Sequence, residues 1–154
     1  MIPSVSRAEA EQHVRQFYER TWRDWYAGRS EPKLAAIVFH WDETGTTGYT
    51  RSADEIHFFG DEADREDIAL EEHGQQRLHF GPLGWPVWKT YFVHEMLHEY
   101  QFKALSCPTP EGKALLSRQN HNFDGPGHDA LFYSAIVDRA PYFGVTPEEL
   151  LAEL

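Results

Sequence analysis

The sequence predicts an α+β fold: an N-terminal helix, a small and mostly antiparallel sheet, a long central helix and a set of shorter C-terminal helices. Three observations carry this expectation. Apolar residues recur at helical spacing from Ser6 to Tyr26, short β-forming runs bounded by Pro, Gly and Asp fill 34–59, and Val87 to Leu105 contains neither Gly nor Pro over about five turns. A chain of 154 residues fits one core, so 1–154 is expected to form a single domain.

In the first helix Val14, Phe17, Tyr18, Thr21, Trp22 and Trp25 fall three and four apart, the spacing of one buried stripe. Ser6 with Glu9 three residues later makes a capping box at its start, and Gly28 supplies a stop. Leu34 to Trp41 reads as a strand, Thr46 to Thr50 as its partner across a turn, and Glu55 to Phe59 as a further strand ended by Gly60 and Asp61. The stretch from Gly60 to Gly84 is dense in acids and lacks a sustained apolar period, so it is expected to be surface loop with one short helix at most. Pro86 suits a helix start, because its ring presets φ and its missing N–H is not needed there. Beyond the long helix, a Pro- and Gly-bearing break runs from Cys107 to Gly112, and a turn of helix is expected over Glu111 to Leu116. Asn120 to Gly127 reads as loop, Ala130 to Arg139 as helix, and Pro147 opens a last short helix to Leu154.

With 41% hydrophobic and 14% aromatic residues there is ample surface to bury, which excludes a wholly disordered chain. The net charge of -11 and the scattering of the 14 Lys and Arg disfavour nucleic acid and anionic membranes as partners. A single cysteine, Cys107, permits neither an internal disulfide nor a cysteine-based zinc ribbon, which points to a reducing, cytoplasmic setting. No run approaches the roughly 20 apolar residues of a membrane span, and Met1 to Ala10 lacks the apolar stretch of a secretory signal.

The central helix carries His94-Glu95-Met96-Leu97-His98. Residues four apart on a helix share a face with Cβ atoms about 5 to 6 Å apart, so His94 and His98 can offer imidazole nitrogens to one ion. One Zn2+ suits such ligands, and Glu95, beside the first histidine, is placed to act as general base on a zinc-activated water. Tyr91, Phe92, Val93, Met96, Leu97, Tyr100 and Phe102 surround the motif with the apolar character that a buried metal helix needs. A catalytic zinc needs a third protein ligand. His121, Asp124, His128 and Asp129 follow the helix; His128 is favoured because the Gly125-Pro126-Gly127 turn lets the chain fold back, with Phe132 one turn on as an anchor, and His121 is the runner-up. Tyr100, Tyr133 and His121 are each candidates for steadying an oxyanion, and Gln101 for a hydrogen bond to a ligand or for lining the cleft. Glu55 to Phe59 is a candidate edge strand for aligning an extended peptide. His57 on it, like Trp85 and Trp88, is expected to serve packing or local hydrogen bonding.

The motif together with Gly127-His128-Asp129-Ala130-Leu131-Phe132 resembles the SprT-like, or Spartan-like, zinc metallopeptidases. These proteins pair a His-Glu-x-x-His helix with a later His-x-x-x-aromatic segment that gives the third ligand. The resemblance covers mainly Trp85 to Val137. It implies a zincin-like minimal metallopeptidase fold, His94, His98 and His128 as metal ligands, Glu95 as catalytic base, and a protein or peptide as substrate. The chain departs from that family in lacking a cysteine-rich ribbon and in being acidic, so DNA-dependent proteolysis is not expected. Two other classes stand beside this one: a non-catalytic, zinc-stabilised binding module, and a protease effector or toxin with one narrow target.

Overall fold

The computed structural model describes residues 4–77, 81–119 and 127–154. Of the loop expected over Asn120 to Gly127, all but Gly127 lies outside them, His121 and Asp124 included, as do 1–3 and 78–80.

Helix α1, Arg7–Trp25, begins at the anticipated capping box: the Ser6 hydroxyl accepts from the Glu9 N–H and the Glu9 carboxylate accepts from the Ser6 N–H. All six residues of its predicted stripe are buried. Three short strands follow, β1 (Ala36–Trp41), β2 (Gly48–Thr50) and β3 (Glu55–Gly60). They form one sheet in the order β1-β3-β2, with β1 parallel to β3 and β2 antiparallel to it.

The sheet is therefore mixed, which corrects two expectations. β2 does not pair with β1, and β3 is the central strand and no edge. The reason lies in burial. In β3 every second side chain is driven inward, with Ile56 and Phe58 at 0% and 1% exposure, so this strand takes the middle of the sheet. β2 and β3 are joined by a tight turn in which Asp54 holds a left-handed φ of 53°, a conformation that Asp tolerates better than most residues.

The acidic stretch forms a regular helix, α2 (Glu62–Glu72), where at most a short one is expected. Asp61 and Asp64 make a second capping box, and Ile68 and Ala69 are its buried residues, too few to show as an apolar period. Helix α3, Val87–Ala104, starts immediately after Pro86, which is its N-cap. Helices α4 (Pro110–Ser117), α5 (Ala130–Arg139) and α6 (Pro147–Glu153) complete the chain, with a 3-10 turn at Ala140–Phe143. Among the described residues, no helix is long and apolar enough to cross a membrane.

The core holds α3 against α1, the sheet and α5. Phe92, Val93, Met96 and Leu97 are fully buried and Trp88 is 2% exposed, in contact with Phe17 and Phe58 from α1 and β3. Behind the motif, Glu99 is also at 0% exposure. Its carboxylate accepts from the Tyr18 hydroxyl at 2.8 Å, the Ala35 N–H at 3.2 Å and the Lys103 ammonium at 2.6 Å. A buried charge is tolerable only with such partners. Here they tie α3 to α1 and to the segment entering β1.

Candidate metal centre and cleft

The two motif histidines occupy adjacent turns of α3, with ring centroids 5.0 Å apart. His128 arrives from the other side, two residues before α5, and its ring centroid lies 5.2 Å from that of His94 and 4.8 Å from that of His98. One nitrogen from each of the three rings falls within 4.8 Å of the others, so this group could hold a metal ion. His94 Nε2 and His128 Nε2 are 3.1 Å apart, close to the separation of about 3.3 Å that two nitrogens take around one tetrahedral ion at 2.0–2.1 Å. Two rings alone could instead share a proton at this distance. The third ring converging on the same point is what distinguishes a ligand set.

Phe132 forms the floor beneath the three rings. It is fully buried, stacks on His98 at 4.2 Å between centroids, and lies 5.2 Å from each of the other two. The turn that brings His128 back depends on Gly127, whose φ is +88°. A Cβ at this position would stand 3.3 Å from His98 Cε1, so glycine also lets the backbone approach the ring. Gln101, fully buried one turn after His98, places its Oε1 2.9 Å from His98 Nδ1 and donates from Nε2 to the Gly127 carbonyl and to Asp129 Oδ1, each at 3.0 Å.

Glu95 is 8% exposed and lies at the edge of the ring cluster, its Oε2 4.0 Å from His94 Nε2. Its Oε1 accepts from the backbone N–H of Tyr49 in β2 at 3.0 Å. Among the described residues no Lys or Arg pairs with it. Burial accordingly pushes the Glu95 carboxyl up to about 8, the Tyr49 N–H opposing this, whereas burial draws His94 down to about 3 and His98 down to about 4. His128 is lowered by burial as well. These shifts fit a cation site: three imidazoles kept neutral have lone pairs to give, and a buried carboxyl without a counter-charge is offered one.

The site opens into a cleft of about 470 Å³ bounded by Thr46, Thr47, Gly48 and Tyr49 on the strand side, by His94, Glu95, His98 and Phe102 on α3, and by Gly127 and His128. The edge beside the site is thus β2, not the Glu55 to Phe59 segment. Strand and helix meet here because Tyr49 turns its N–H to Glu95.

Sequence reasoning brings together His94, Glu95, His98 and His128, and the structure places them in one cluster. It does not place Tyr100 there: that side chain lies on the opposite side of α3, its hydroxyl donating to Asp138 and accepting from Arg29. Tyr133 is buried at 1% exposure and does not line the cleft. His57 is occupied by His40 and Glu55, and Trp88 donates to Glu71, as their packing roles imply. The contribution of Tyr49 is not legible in the sequence, because a backbone N–H leaves no mark in residue type. Compared with family models, curated proteins and solved structures, the chain matches none.

Proposed function

We propose that the protein is a zinc-dependent metallopeptidase of the SprT-like kind, cleaving peptide bonds in a protein or peptide substrate in the cytoplasm. The observation that carries the reading is the position of Glu95. A carboxylate that served only the fold would be expected to face a cation or several donors, as Glu99 does four residues later. Glu95 instead faces an open cleft beside three convergent imidazoles, with one backbone N–H as its hydrogen-bond donor among the described residues.

When bound by His94, His98 and His128, a zinc ion supplies a Lewis acid and brings the pKa of a neighbouring water from 15.7 to roughly 7. Glu95 takes the proton from the attacking water at Oε2, while Oε1 stays held by Tyr49, and returns it to the departing amine. Burial raises the carboxyl in the metal-free protein, and a bound cation beside it would favour the ionised form that a base needs. The N–H and C=O of one strand residue point to the same side. The Tyr49 carbonyl therefore faces the same outer edge as its N–H and is available to align an extended substrate. The solitary Cys107, free and exposed, accords with a reducing compartment.

Metal analysis and a cleavage assay on the purified chain test the reading. About one zinc per chain is expected, with hydrolysis of unfolded protein substrates abolished by a chelator and restored by zinc. A zinc-stabilised binding module would instead melt on chelation and show no hydrolysis at any metal loading. A narrow-target effector would be toxic on expression in the cell that holds its target, with Glu95→Gln relieving the toxicity.

A further inference from the structure

Gln101 is a fully buried carboxamide placed between the motif helix and the turn that carries His128. Its orientation follows from its partners. The Gly127 carbonyl and the Asp129 carboxylate can only accept, so the Gln101 nitrogen must face them and its oxygen must face His98 Nδ1. His98 Nδ1 must then carry the ring proton, which leaves the Nε2 lone pair for a metal. The same nitrogen brackets His128, binding the carbonyl of the residue before it and the side chain of the residue after it. Asp129 Oδ1 is at the same time the cap of α5, accepting from the Leu131 and Phe132 N–H groups.

We infer that Gln101 is a positioning residue with two coupled tasks: it fixes the His98 tautomer that exposes Nε2, and it fastens the His128 turn to α3 so that the third imidazole is delivered to the other two. This rests on the metal-site reading above and assigns the assembly of that site to one side chain outside the ligand set. Glycine at 127 and glutamine at 101 form one device: the first lets the backbone come close and the second ties it down.

The test uses the full chain and two substitutions, with zinc affinity measured by chelator competition. The ring-nitrogen shifts of His98 are read by NMR on the zinc-free protein. Gln101→Met keeps the volume and removes all three hydrogen bonds. Zinc binding is expected to weaken on the order of 10- to 100-fold, and the His98 ring to become a mixture of tautomers. Asp129→Ser keeps an oxygen to cap α5 but is too short to reach Gln101. It should weaken zinc binding less and leave the His98 tautomer unchanged, because the Gln101 oxygen still accepts. The unfolding midpoint of each zinc-free variant is measured alongside, so that a loss of affinity in a folded chain is told apart from a loss of fold. Affinities within about twofold of the wild type for both variants would overturn the inference, since a ligand-orienting contact is worth more than that. So would a wild-type His98 protonated on Nε2. A wild-type chain that takes up no zinc would overturn the peptidase reading instead, while the tautomer of the zinc-free protein still decides the role of Gln101.

Discussion

The backbone N–H of Tyr49 donates to the Glu95 carboxylate at 3.0 Å, across 46 residues of sequence. This bond fixes one oxygen of the carboxylate and leaves the other facing the ring cluster. It also joins the edge strand to the helix that carries the three motif residues, so the wall of the cleft and the proposed base are set by a single contact.

Replacing Glu95 by Gln keeps an oxygen for the Tyr49 N–H and removes the proton acceptor. Cleavage is expected to fall about 10²- to 10⁴-fold, while zinc content stays at the wild-type level. Parallel peptide hydrolysis and elemental analysis check both halves; loss of the metal along with the activity would count against a base that is not a ligand.

The zinc-free protein should respond to pH in two windows. The folded values of His94 and His98 lie below the ordinary 6.5, at about 3 and about 4. Their contribution to stability is therefore complete above 6.5 and lost as pH falls through the folded values. The folded Glu95 value lies above its ordinary 4.5, at about 8, so its contribution is complete below 4.5 and lost as pH rises through 8. Each amounts to a few kcal/mol at order of magnitude. Thermal unfolding of chelated protein should show stability greatest near 6.5, declining from 6.5 to 8 as the Glu95 contribution is lost, and declining below 6.5 as the two histidine contributions, lost together, outweigh the one gained from Glu95. Glu95→Gln is expected to flatten the first decline, and His94→Gln with His98→Gln the second.

Gly127→Ala places a methyl group on a backbone at φ +88° and 3.3 Å from His98 Cε1. A loss of about 1–2 kcal/mol is expected from the backbone alone, together with weaker zinc binding as His98 is pushed. Urea unfolding and zinc titration of the same preparation measure the two effects.

Tyr18→Phe withdraws a hydroxyl that donates to Glu99 and accepts from the Ala35 N–H at 2.7 Å. The cost should be about 1–3 kcal/mol, the penalty of a buried polar group left short of a partner. Peptidase activity at a temperature where the variant stays folded should be unaffected, because Tyr18 lies behind α3, away from the cleft.

What was legible in the sequence was local. The Ser6 and Glu9 box, the stripe on α1, the paired histidines on α3 and the backbone freedom of Gly127 before His128 each express a rule about neighbours within a few residues, and each holds in the structure. Strand pairing did not follow, because whether β2 lies against β1 or β3 depends on which strand can bury Ile56 and Phe58 under α3, a long-range matter. Helix α2 escaped for the opposite reason: it buries so little that its pattern is drowned by acids, although Asp61 and Asp64 cap it. The shape of the candidate site was readable in its side-chain ligands and unreadable in its backbone, since Tyr49 acts through an N–H that every residue except proline possesses.

The anchor beneath the motif helix limits how the molecule can adjust. If α3 slid or turned by one residue, Glu99 would carry Lys103 with it but leave the Tyr18 hydroxyl and the Ala35 N–H, at a cost of about 1–3 kcal/mol for buried polar groups left short of a partner. The helix therefore behaves as a rail bolted from below, and His94 and His98 keep station whatever approaches them. Accommodation of an ion or a bulky guest falls to the far wall of the cleft, the three-residue edge strand β2. Adjustment at that one margin, against a helix held from behind, is the kind of movement this architecture permits.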